Sequence, residues 1–154
     1  MASTNSTQYA AQVAAAANYA DTMDDKRQIE GGIQYAFIDV AVAASATAAD
    51  TVNLIELPVG AIVYPELSFI VVTDDMSSGA VTIDIGDTDV DRYCDGANCA
   101  AVGTVQFLAP AIPDGYTNRH KVTEATKLVK VTYATLAATV ETGAYRVVLA
   151  YKCL

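Results

Sequence analysis

Residues 57–96 read LPVGAIVYPELSFIVVTDDMSSGAVTIDIGDTDVDRYCDG, and their pattern decides the fold class. Val81, Ile83 and Ile85 alternate with Thr82 and Asp84, the period of a strand with one buried face. The run from Leu67 to Val72 is apolar on both faces, which places it inside a sandwich rather than at an edge. Between these runs Asp74-Asp75-Met76-Ser77-Ser78-Gly79 has turn chemistry, with Gly79 free to take positive φ. The two runs are therefore expected to pair as a central β-hairpin.

Outward from this centre the chain continues in strands. Ile33–Val42 makes a first strand with Tyr35 and Phe37 on one face. Thr51–Leu57 follows, with Val52 and Leu54 opposing Ile55 and Leu57. Pro58-Val59-Gly60 turns the chain into a long apolar strand over Ala61–Thr73, and Pro65 within it predicts a bulge, kink or edge position. Thr104–Leu108, His120–Thr123, Lys127–Thr135 and Ala144–Cys153 complete the set. Thr142-Gly143 is read as the hairpin turn before the last strand, in which Tyr145, Val147, Leu149 and Tyr151 face inward. About eight strands at roughly 8–15-residue spacing, without βα alternation, predict an all-β antiparallel sandwich or jelly-roll-like domain.

Residues 1–32 differ in composition. They are rich in Ala, Ser and Asn, nearly lack large aliphatic residues, and end in Gly31-Gly32, a natural hinge. They predict an extended or partly helical arm ahead of a sandwich domain over 33–154. Tyr9 and Val13 form a weak amphipathic stripe, too small to stabilise an isolated helix. Such an arm either stays a disordered tail or lies on a neighbouring subunit, and the second reading is favoured.

The bulk composition narrows the function classes. The chain of 154 residues is 53% hydrophobic and only 18% charged, which suits either a well-filled β core or extra apolar surface for subunit contacts. A net charge of −9 and nine scattered Lys and Arg residues argue against nucleic acid as a partner. No apolar run is long enough to span a membrane, and no basic segment precedes an apolar one as in a signal peptide, so a soluble, cytoplasmically made chain is expected.

Few residues offer chemistry. His120 is the only histidine and sits in the polar context Asn118-Arg119-His120-Lys121. No GxSxG, HExxH, P-loop or GxGxxG occurs, and no cofactor is implied. Asp87, Asp89 and Asp91 have the opening spacing of an EF-hand loop, but Arg92 stands where glycine belongs and Asn98 where the closing glutamate belongs. The segment is better read as a solvated loop of Asx-turns partly neutralised by Arg92, with a cation site of another type left open. Cys94, Cys99 and Cys153 do not make a zinc site. Cys94 and Cys99 flank a short loop, Asp95-Gly96-Ala97-Asn98, and could close a small disulfide in an oxidising medium, while free thiols are expected in a reducing one.

The order of these pieces resembles the small capsid decoration, or cement, proteins of tailed bacteriophages. The resemblance is carried by Leu57–Val63, Val81–Asp87, Asp89–Gly96 and Gly143–Tyr151, and covers residues 54–151. It implies a β-sandwich on the outer surface of the virion capsid, bridging major capsid proteins and forming homotrimers at local three-fold positions. On that reading Tyr9, Val13 and Tyr19 anchor the arm on an adjacent subunit or capsid protein. The alternative is a receptor- or glycan-binding virion module, a head fibre or tail component, using Tyr93, Tyr116 and Asn118. A major capsid protein is disfavoured by the short chain and low helical content.

Overall fold

The computed structural model describes residues 3–5, 32–76, 79–107, 121–136 and 142–153, with only the backbone of 3–5 considered. The described residues carry ten strands: β1 (Ser3–Asn5), β2 (Ile33–Val42), β3 (Thr51–Glu56), β4 (Ile62–Val63), β5 (Phe69–Asp74), β6 (Val81–Gly86), β7 (Cys94–Asn98), β8 (Gly103–Gln106), β9 (Leu128–Leu136) and β10 (Gly143–Lys152). They form two sheets, ordered β1-β3-β9-β6-β7 and β2-β10-β5-β8, with β4 paired to β10. The expected all-β sandwich is what the chain builds.

Its pairing is nested. β6 pairs with β7, β5 with β8, β3 with β9 and β2 with β10, all antiparallel. The first half of the domain thus pairs in reverse order with the second, as one long hairpin would, and the hairpin is wrapped so that its successive pairs fall alternately in the two sheets. That is the plan of a jelly roll. The β6–β7 connection is the tip of the hairpin.

The core lies between the sheets and follows directly from the period-2 alternation. Ile38, Ile70 and Leu149 from one sheet face Ile83, Ile85, Val129 and Val131 from the other, all fully buried. Burying each contributes roughly 2 kcal/mol. A bulge between Asn53 and Ile55 in β3 turns two successive residues inward, so Val52, Leu54, Ile55 and Leu57 are all buried rather than opposed. Across the core the hydroxyls of Tyr133 and Tyr145 lie 3.3 Å apart, a hydrogen bond that ties β9 of one sheet to β10 of the other.

Expectations about pairing are corrected here. The runs around Leu67–Val72 and Val81–Ile85 are not a hairpin: β5 and β6 belong to different sheets. Gly143 is not a hairpin turn but the first residue of β10, and β9 and β10 also lie in different sheets. A Cβ at Gly143 would meet the Cα of Met76 at 2.6 Å, so glycine is required where the crossing segment passes over the strand. The break expected at Pro65 is present: it opens a 3-10 turn over Pro65–Leu67 that divides the Ala61–Thr73 run. Both halves still pair with β10. Buried Ser68 repairs the break: its hydroxyl donates to the Tyr64 carbonyl at 2.8 Å and accepts from the Ala150 N–H at 3.0 Å. The strand expected near His120 reduces, in the described residues, to one bridge between Ile62 and Lys121.

Candidate interaction surface

At the hairpin tip the acidic segment after β6 is a closed hydrogen-bonded knot. The Asp87 side chain is fully buried, with Arg92 Nε 2.9 Å from its carboxylate. The same carboxylate accepts from the Tyr93 hydroxyl at 3.1 Å and the Asp89 N–H at 3.0 Å. Backbone bonds from the Asp87 N–H to the Asp89 carbonyl and from the Tyr93 N–H to the Ile85 carbonyl close the turn. Burial, then the Asp87 charge beside it, drives the Tyr93 phenol far above its ordinary range, so it remains a neutral donor. Arg92 therefore neutralises Asp87 in particular. Among the described residues no group of three or more potential metal ligands converges.

Asp84 lies one turn inward and accepts from the Gly96 N–H at 2.7 Å. Burial pushes its carboxyl above the usual carboxylate range, the Gly96 bond opposes this, and Asp95 and Asp91 add repulsion. A raised folded-state pKa means that the protonated form favours folding, and that this benefit is lost as pH rises. Asp84→Asn, which is neutral at every pH and retains an acceptor for Gly96, is accordingly expected to raise the denaturation midpoint at pH 7. The gain should vanish below the carboxylate range. An equal loss at both pH values would show that the hydrogen bond, not the charge, dominates.

The three cysteines are buried and no disulfide joins them. Cys94 and Cys99 do not flank a loop: the residues between them are strand β7. Cys94 pairs with Ile85, while the Cys99 N–H bonds the Val81 carbonyl. These positions are four residues apart on β6. The fold thus sets both cysteines along one strand edge, buried and outside any disulfide. Burial, with Cys94 nearby, pushes the Cys99 thiol up to about 12, so it is unreactive as well as enclosed.

Tyr93, expected as an exposed recognition residue, is buried in the knot. Tyr9, Val13, Tyr19, Tyr116, Asn118 and His120 lie outside the described residues. The surface that does stand out is one the sequence reading did not assign. β2 is an edge strand whose outward residues Ile33, Tyr35 and Phe37 are 45%, 47% and 59% exposed. In register, Phe37 stands beside Val148 of β10, which in turn stands beside Phe69 of β5, so an apolar row crosses the outer face of the sheet. The next row is polar, with Arg146 making a bidentate pair with Asp39 at 2.7 and 2.9 Å. Scattered exposed apolar residues are ordinary, but three on one edge strand make a patch of the kind used for association. The signal was present as apolar residues on both faces of residues 33–38.

No protein-family model matches the chain. No curated protein matches it. Among solved structures, it is similar to a chain in the capsid asymmetric unit of cyanophage Pam1, with 25% identity and a TM-score of 0.60 over 80% of this chain and 86% of that one. It is also similar to a chain in the capsid of Ralstonia phage GP4, with 19% identity and a TM-score of 0.57 over 79% of this chain and 84% of that one. The likeness spans about four fifths of this chain, and in both cases the similar chain comes from a phage capsid.

Proposed function

We propose that the chain is a virion structural protein, a capsid decoration protein that sits on the outer surface of a tailed-phage head and bridges major capsid proteins as a homotrimer. The observation that carries this reading is the likeness, across most of both chains, to a component of a cyanophage capsid. The body is residues 33–154, and residues 1–32 are an arm that reaches a neighbouring subunit through Tyr9, Val13 and Tyr19. The apolar edge at Ile33, Tyr35 and Phe37 supports a role in contact rather than catalysis. So does a core whose polar groups, the Asp87 knot and the Tyr133–Tyr145 pair, are satisfied by one another.

The test is sedimentation of purified protein with heads assembled from the major capsid protein alone. Binding in hundreds of copies per head is expected, and deletion of residues 1–30 should weaken it at least tenfold while the sandwich stays folded by circular dichroism. Absence of head binding, or a copy number of only a few per particle, would sink the decoration reading. Unchanged binding after truncation would remove the arm from it.

A further inference from the structure

The N-terminal strand β1 joins the sandwich in an unusual way. Ser3, Thr4 and Asn5 pair in parallel with Thr51, Val52 and Asn53, extending one sheet beyond β3. Between this strand and the body lie the 26 residues 6–31, followed by Gly32. Fully extended they reach about 85 Å, whereas the two sheets of a sandwich are only about 10 Å apart. The connection is therefore far longer than pairing with the same chain requires, and it does not dictate which copy of β3 the strand meets. The docked segment Ser-Thr-Asn carries no charge, so its attachment rests on main-chain hydrogen bonds to an edge, which any copy of β3 presents equally.

A second observation lies on the same side of the molecule. β7 and β8 approach each other at one flank of the sandwich, so the other ends of the two sheets, β1 with β3 behind it in one and β2 in the other, lie toward the opposite flank. That flank carries the exposed Ile33, Tyr35 and Phe37, placed at the root of the connection. A 10-residue edge strand with such a face and no proline or lysine along it is unprotected against pairing.

We infer that this flank is an interface between copies of the chain, in which β1 of one copy adds to β3 of the next. The exchange keeps every β1–β3 contact and adds burial of the β2 stripe as the flanks are drawn together, the gain that favours the exchanged form. A single-copy arrangement leaves the stripe exposed. This deepens the oligomeric part of the proposed function and does not depend on its capsid part.

The register supplies the test. Ser3 and Thr51 are direct partners, so Ser3→Cys protein carrying an affinity tag is co-expressed with untagged Thr51→Cys protein, purified and mildly oxidised. The expected result is a covalent tagged–untagged species on a non-reducing gel, absent when either variant is expressed with wild-type protein, whose native thiols are buried. The proposal is overturned if no mixed species forms while the Ser3→Cys/Thr51→Cys double variant closes within single chains at monomer mass. It is equally overturned if neither preparation crosslinks, because β1 then does not dock on β3. Head binding is measured separately, so a protein that exchanges strands but ignores capsids, or the reverse, is recognised as such.

Discussion

Gly86→Ala is expected to be among the most destabilising single-methyl changes in the chain, costing about 3 kcal/mol. A Cβ at this position would lie 1.9 Å from the Asp89 carbonyl oxygen and within 2.7 Å of two Val90 backbone atoms. These are main-chain atoms of the turn itself, so no side-chain rotation relieves the overlap. The turn must open, and opening it breaks the bond between the Asp87 N–H and the Asp89 carbonyl. Gly96 provides the contrast. It has φ near +65° but open space around a Cβ, so Gly96→Ala carries only the left-handed backbone cost of about 1 kcal/mol. Urea denaturation of the two variants should separate them clearly. A Gly86→Ala protein no weaker than Gly96→Ala would show that the turn relaxes freely, and that the hairpin tip is softer than its geometry indicates.

The second large effect is expected at Asp87. Alanine there removes the acceptor for Tyr93, Arg92 and the Asp89 N–H together. It leaves a buried phenol without its partner, at about 1–3 kcal/mol, and a guanidinium without its counter-ion. Removing one member of a fully buried ion pair costs about 3–5 kcal/mol, but Arg92 retains partial contact with water, so the combined loss should be near 3 kcal/mol. For a domain of this size that lowers the melting temperature by about 10 °C. Asp87→Asn should lose roughly half as much, since the amide oxygen can still accept. By comparison, Arg146→Ala breaks the exposed bidentate pair with Asp39 and should leave the melting temperature nearly unchanged, because solvent screens the pair. If Asp87→Ala and Arg146→Ala melted together, the knot would be decoration on the turn rather than its lock.

Both effects fall at one place because of the nested topology. The β6–β7 tip is the only sequence-local pair among the four that build the jelly roll; β5–β8, β3–β9 and β2–β10 join progressively more distant segments. Long-range pairings gain only after loop-closure entropy has been met. A turn locked by its own hydrogen bonds lowers that cost for the pairs that follow. The same segment that resembles a cation loop in sequence is thus spent on structure, with its central carboxylate enclosed by Arg92 and Tyr93.

Strand positions and inward faces were legible in the sequence. Alternation along residues 33–42, 81–86 and 143–152 needs no knowledge of neighbours, because successive side chains in a strand point to opposite sides whatever the strand pairs with. For the same reason, alternation says nothing of partners. It could not show that β5 and β6 sit in different sheets, that Gly143 passes under Met76, or that a bulge at Asn53 turns Leu54 and Ile55 inward together. Tyr93 and the cysteines show the same division. Their local context reads as an exposed acidic loop, but the register of β7 on β6 encloses Tyr93, Cys94 and Cys99 alike. The apolar edge at Ile33, Tyr35 and Phe37 also needed the fold, because a two-faced apolar strand reads as interior until the sheet order leaves one side open. The sequence by itself determined which residues seek burial; which of them find it was decided by pairings between segments as much as 119 residues apart, Ile33 with Lys152 among them.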